Sequence, residues 1–254
     1  MTKRTIVGSL TKLGAAGAVM LAGIANAAEI NVIGTGSFKE AFGDLAPAFE
    51  RSSGHKVVAT WAGTNDIIAR LSAGETLDIV IAPAPSIEDL VKRGLLVADS
   101  RVDLAKSGIG VAVAAGAPRI DIGSGEALKK ALLGAKSIIL SSGVSGVYLT
   151  GLFRKWGIAD QVKSKIVTLP GSGPVAEAMV RGEAEIGFLQ VSELLPVKGI
   201  EFLGPLPADI QEMTAISAGL GKAAGAPDAA KALVRFLTSP EAAPAKKKSG
   251  LEPG

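Results

Sequence analysis

The chain has no cysteine, one histidine in 254 residues, and only 4% aromatic residues. Without cysteine there is no disulfide framework, no thiol nucleophile and no attachment point for the lipid that anchors some exported proteins. The single histidine, His55, stands in the turn Ser52-Ser53-Gly54-His55 and is expected to be exposed, so a Ser-His-Asp arrangement has no base to use elsewhere. A metal site would have to be assembled from carboxylates. Asp78 reads as a strand residue that braces a neighbouring turn, and Glu183 and Glu185 flank a turn and are expected to face water. The scarcity of aromatic rings argues against a sugar cleft with stacking platforms. The phosphate-cradling pattern G-x-x-x-x-G-K-[ST] does not occur. Gly34-Thr35-Gly36 does not continue as a dinucleotide fingerprint either, because Lys39 occupies the third glycine position and Trp61-Ala62 stand where an acidic residue would follow the second strand. Catalytic residues, metal ligands and cofactors are therefore expected to be absent, and the chain is expected not to be an enzyme.

What is present begins at the N-terminus. Lys3, Arg4 and Lys12 precede an apolar stretch from Leu13 to Ile24 that ends in Ala25-Asn26-Ala27. This pattern reads as a cleaved signal peptide over residues 1–27, too short for the roughly 18–20 residues of a membrane span, and places the mature chain in the periplasm. The leader carries three of the 27 basic residues and no acidic one, so the mature part balances its 24 acidic residues and has no net charge. With no basic stripe interleaved with aromatics, nucleic acid is excluded as a partner.

Beyond the leader, strand and helix patterns alternate. Short apolar strands are expected at Ile30–Ile33, Lys56–Trp61 and Leu77–Ala82. Each leads through a turn into a helix: Phe38–Arg51, Asp66–Ala73 and Ser86–Arg93. A Val-rich strand, Gly108–Ala114, leaves this series. A second series follows, with helices at Glu126–Leu133, Gly146–Trp156 and Pro174–Arg181 and strands at Ser137–Leu140, Ile166–Leu169 and Ile186–Leu189. After the turn Gly204-Pro205-Leu206-Pro207, the strand Glu212–Ala218 and the helix Ala226–Thr238 return to the first series. The implied architecture is α/β with two lobes, each a mainly parallel sheet flanked by helices, joined by two crossing strands. Residues 28–107 and 212–254 form lobe 1 and residues 108–211 form lobe 2. The tail from Ser239, with Lys246, Lys247 and Lys248, reads as a solvated helix end.

Ligands of open α/β sheets lie beyond the carboxyl ends of the strands. Four such turns carry glycines and hydroxyls: Gly36-Ser37, Gly63-Thr64-Asn65, Ser142-Gly143-Val144-Ser145-Gly146 and Gly171-Ser172-Gly173-Pro174. Ser, Thr and Asn are also ordinary helix caps, and each turn alone reads as well that way. Two fall in each series, however, so a cleft between lobes would collect them. Their unpaired N–H groups and hydroxyls would make an anion site without Lys or Arg.

The sequence resembles the molybdate-type solute-binding proteins of ABC importers, which have the type II periplasmic binding-protein fold. The likeness runs through Thr35-Gly36-Ser37-Phe38, Gly63-Thr64-Asn65, Leu77-Asp78-Ile79-Val80, Ser145-Gly146-Val147-Tyr148 and Pro174-Val175-Ala176, and ends in Arg181-Gly182-Glu183-Ala184-Glu185-Ile186-Gly187. The resemblance implies that Ser37, Thr64, Val147 or its neighbour Gly146, and Val175 hold an oxyanion such as molybdate or tungstate. It also implies a monomer that closes on its ligand and presents the closed form to a membrane permease. Where that family has a ligand-binding Tyr after the last strand, this chain reads Gly187-Phe188-Leu189-Gln190. An amide at Gln190 offers an acceptor as well as a donor, which opens the alternative of a small organic carboxylate. The candidate ligand-binding set is Gly36, Ser37, Thr64, Asn65, Ser145, Gly146, Val147, Gly173, Val175 and Gln190. A sensor role and a secreted enzyme using a single cleft carboxylate are the remaining alternatives. A buried Asp or Glu between the lobes would favour the enzyme.

Overall fold

The structure is a computed structural model that describes Met1 and residues 27–254. The expected signal segment otherwise lies outside the described residues. Strand β1 (Glu29–Gly34) passes through a single 3-10 turn at Gly36–Phe38 into α1 (Lys39–Ser53), followed by β2 (Lys56–Trp61), α2 (Thr64–Ser72), β3 (Ile79–Pro83) and α3 (Ala84–Lys92). The long strand β4 (Val102–Ala114) leads to α4 (Gly125–Gly134), β5 (Ile138–Ser141), α5 (Val144–Lys155), the short α6 (Ala159–Val162), β6 (Ile166–Leu169), α7 (Ser172–Val180) and β7 (Ile186–Gln190). Then come a four-residue helix α8 (Val191–Leu194), β8 (Ile200–Pro205), β9 (Met213–Leu220), α9 (Pro227–Thr238), α10 (Ala243–Lys248) and β10 (Glu252–Pro253).

The strands form one curled sheet in the order β2-β1-β3-β9-β4-β7-β5-β6, with β8 and β10 also pairing to β4. β1, β2 and β3 are mutually parallel, as are β5, β6 and β7, and the antiparallel strands β9 and β4 lie between the two groups. β4 pairs with β9 over Val102–Gly108 and with β7 over Ile109–Val113, so a single strand runs from one parallel group into the other. This is the expected α/β class.

Alternation along the strands explains why both sheet faces are covered. Ile79 and Ile81 enter a core with Ile30, Phe42, Ile216 and Leu233, while Val80 and Ala82 point the other way, onto Ile67, Leu71 and Leu90. In the other group, Ile138, Leu140 and Phe188 pack on Leu149 and Phe153, and Ile139 and Leu189 pack on Val175 and Met179. Each fully buried Ile or Leu contributes about 1.5–3 kcal/mol, which is how a chain without disulfides holds together. Asp78 braces as expected: it is buried, and its carboxylate accepts from Asn31 N–H at 2.7 Å and Ala226 N–H at 2.9 Å, tying β1 to the entry of α9.

Three expectations need correction. The tail is not a solvated helix end: Lys246 is buried and its Nζ donates to the Leu104 carbonyl at 2.7 Å, and β10 pairs antiparallel with β4. Its aliphatic stem allows this, because only the ammonium needs a polar partner. His55 is half-buried, with its Nδ1 accepting from Ala28 N–H at 3.2 Å and its ring stacked on Phe49. Gly204-Pro205 is the end of β8, not a turn, since Pro205 sits on the edge partner of β4, where a missing N–H is tolerated.

Candidate functional site

The carboxyl ends of β1, β2, β5, β6 and β7 converge on a cleft of about 300 Å³. It is lined by Thr35, Gly36 and Ser37 after β1, by Ala62 to Asp66 after β2, by Ser141 to Ser145 after β5, and by Pro170 to Ser172 after β6. Pro83 at the end of β3, Gln190, Glu193 and Thr214 complete it. Of the expected residues, the structure gathers Gly36, Ser37, Thr64, Asn65, Ser145 and Gln190 here. It leaves four outside: Val147 is 69% exposed, Val175 is in the core, Gly146 packs against the Ser141 carbonyl, and Gly173 lies one residue past the lining. The reason is a frame shift of two residues, because α5 starts at Val144 and α7 at Ser172.

The ordinary capping role of the hydroxyls is not what the structure shows. The N-caps of α2, α5 and α7 are Gly63, Gly143 and Gly171, and no side chain caps any of the three helices. Away from the cleft, α4 is capped in the usual way, with Ser124 Oγ accepting from Ala127 N–H at 3.1 Å. Helix starts with free N–H groups thus face the cleft, each with the positive end of its dipole. The buried hydroxyls pair among themselves, Thr35 with Ser37 at 2.9 Å and Ser141 with Ser145 at 3.1 Å, which leaves lone pairs and protons to reorient toward a ligand.

Gln190 is buried and turned toward the crossing strands. With its amide assigned from its partners, the nitrogen donates to the carbonyls of Ser107 at 2.9 Å and Gly108 at 3.1 Å, and the oxygen accepts from the Thr214 hydroxyl at 3.1 Å. Its acceptor is thereby occupied, and it joins β7 to both β4 and β9. Gln211 adds a second link, its amide exchanging hydrogen bonds with both backbone groups of Ile109.

The residue that sequence reasoning missed is Glu193. It follows β7 in α8, and its Oε2 accepts from Gln190 N–H at 3.1 Å. Oε1 lies over Gly36, where a β-carbon would stand 3.0 Å away and would also run into Ser172 Oγ. Burial pushes its pKa up to about 7, although hydrogen bonds from Gln190 N–H and the Ser172 hydroxyl favour the carboxylate. Among the described residues, Asp66 and Glu193 are the only titratable groups lining the cleft, and no Lys, Arg or His does so. No cluster of His, Cys, Asp and Glu suited to a metal occurs among them. A second cavity of about 560 Å³ opens beside the first, sharing Thr64, Asn65, Ser142 to Val144 and Thr214 and reaching Ile68, Tyr148 and Met213.

A family profile described as bacterial extracellular solute-binding protein matches residues 30–252. An aconitate isomerase from a Pseudomonas species is 36% identical over 230 residues, covering 88% of this chain and 87% of the relative. The molybdate-binding protein ModA of Azotobacter vinelandii is 29% identical over 242 residues, covering 92% and 94%. The solved periplasmic molybdate-binding protein of Azotobacter vinelandii superposes with a TM-score of 0.76 at 21% identity, covering 87% of this chain and 98% of that one, a likeness of fold.

Proposed function

The chain belongs to the bacterial extracellular solute-binding proteins, and from that premise we propose that it is a periplasmic receptor for a small organic polycarboxylate, which it hands to a membrane permease. One observation carries the choice of ligand: a carboxylate, Glu193, stands among the uncapped helix starts of a cleft that no cation lines. A fully deprotonated tetrahedral oxyanion placed there is charged on every side and has no neutral face to set against an ionised Glu193. An organic acid has separate carboxylates for the separate helix starts and an apolar or C–H edge to set against Glu193. The adjoining cavity gives room for more than a tetrahedral ion. Closure follows from differential affinity, since a ligand touching both walls favours the closed arrangement.

Calorimetric titration of the mature protein with molybdate, tungstate, sulfate, cis-aconitate and trans-aconitate tests this. Tighter binding of a polycarboxylate supports the reading. Tight molybdate or tungstate binding with no carboxylate signal returns the site to the oxyanion expected from the resemblance, a reading that the 29% identity to ModA favours.

A second reading is catalytic. The family and fold are those of transport-type binding proteins, yet the relative at 36% identity is named for isomerisation of an unsaturated tricarboxylate, and Glu193 supplies the cleft with a group that can carry a proton. Receptor and isomerase use the same ligand class and differ only in whether the bound acid leaves unchanged.

A further inference from the structure

We propose that Glu193 is a catalytic residue that takes a proton from a carbon of the bound unsaturated acid and returns it, so that the ligand's double bond re-forms in the other geometry. This deepens the second reading above and rests on it. The geometry singles out Glu193 in three ways. Its carboxylate lines the cleft from the end of β7, where Gln190 N–H and the Ser172 hydroxyl donate to it and Oε1 stands beside Gly36. Gly36 admits no β-carbon beside the Ser172 hydroxyl and Oε1, so the two polar groups pack side by side against its backbone at the cleft wall. The other candidate, Asp66, is exposed in the first turn of α2, with its carboxylate folded back toward its own N-cap, Gly63. The chain has no cysteine and His55 does not line the cleft, so neither thiol addition nor imidazole chemistry is available there.

The step balances without an added reactant. Glu193 as carboxylate removes a proton from a carbon adjacent to a double bond and activated by a carboxylate. The C–H electron pair delocalises over the double bond and that carboxylate, whose developing charge is met by the free N–H groups of the helix starts. Protonated Glu193 then gives the proton back to the delocalised unit. No atom is gained or lost, and nothing is oxidised or reduced. A group that titrates near neutrality serves both halves of such a cycle.

The test uses the mature protein with trans-aconitate as the probe, in D2O at pH 7, followed by proton NMR, with calorimetry run in parallel. The expected result is deuterium incorporation with appearance of the cis isomer, lowered by about 100-fold or more in Glu193→Gln. That variant keeps the cap, since Gln serves at the same helix position, so it should fold, melt no lower than wild type at pH 7 and still give a calorimetric signal with trans-aconitate. Glu193→Asp, which retains a shorter carboxylate, should restore part of the exchange. If wild type shows no calorimetric binding, the carboxylate reading falls and the proton route with it. Binding without exchange, full activity in Glu193→Gln, or loss in Asp66→Asn in place of Glu193→Gln overturns the assignment while leaving the receptor intact.

Discussion

Gln190 and Thr214 meet side chain to side chain at 3.1 Å, at the place where β7 ends against the crossing strand β9. The same amide reaches the carbonyls of Ser107 and Gly108 on β4. β4 and β9, which lie between the parallel groups, therefore share one side chain, which lines the cleft. Gln190→Leu keeps the bulk and removes the polar links, leaving the Thr214 hydroxyl and the carbonyls of Ser107 and Gly108 without this partner. Urea unfolding should show a loss of about 1–3 kcal/mol. If stability is unchanged, the amide is not a structural link between the strands.

Glu193 gives a pH dependence with a defined sign. Its folded pKa of about 7 stands above its ordinary value of 4.5. Between the two, the folded protein holds a proton that the unfolded chain has released, so stability falls as pH rises through this window and levels off above about pH 7. Relative to Glu193→Gln, wild type should lose at most about 3 kcal/mol from pH 4.5 to 8. Parallel melting-temperature curves for the two proteins would show that the carboxylate is solvated as well in the folded state as in the unfolded one.

Gly36 is a space-holder. Gly36→Ala would place a methyl group against Ser172 Oγ and 3.0 Å from Glu193 Oε1, pushing both out of position. Affinity for the preferred anion should fall by about tenfold, equivalent to about 1.4 kcal/mol, while the melting temperature changes little. Undiminished affinity would mean that binding does not depend on the placement of Ser172 and Glu193 beside Gly36.

Ser37→Ala and Thr64→Ala probe opposite ends of the β1 and β2 turns. Neither hydroxyl caps a helix, so each substitution should leave folding nearly intact and weaken ligand binding by roughly 0.5–1.5 kcal/mol, the net worth of a hydrogen bond. Calorimetry that finds both unchanged would remove the first two turns from the site.

Much of the fold was legible because apolar period and turn chemistry agree. The strands Lys56–Trp61 and Ile166–Leu169 are found residue for residue, each bounded by turn residues. β4 is six residues longer at its start than its apolar run, since Asp103 and Lys106 interrupt the pattern; antiparallel pairing with β9 extends the strand through them. β8 was hidden by Gly204-Pro205, whose turn preference yields to edge pairing with β4. In the site, the turns were legible and the helix starts were not. Ser145 and Ser172 look like caps or donors near a start, but glycines occupy the N-caps, and a difference of two residues moved the expected helix starts from Val144 and Ser172 to Gly146 and Pro174, and the candidate donors with them to Val147 and Val175. Glu193 escaped because a helix of four residues has no period to read. Its signal was the Gln190-x-x-Glu193 spacing directly after a strand, the signature of a carboxylate folding back on a helix start.

The core around Ile30 also contains Leu233 and Leu251, whereas the cores around Phe188 and Val175 draw on residues between Ile109 and Leu206. A polypeptide that emerges N-terminus first can finish the later-numbered half before the earlier one, which waits for α9 and β10 to arrive. Contacts of such long sequence separation form slowly. Until the last segment is delivered the half built around Ile30 lacks part of its core, so the cleft has one completed wall and its second wall is the last part of the molecule to form.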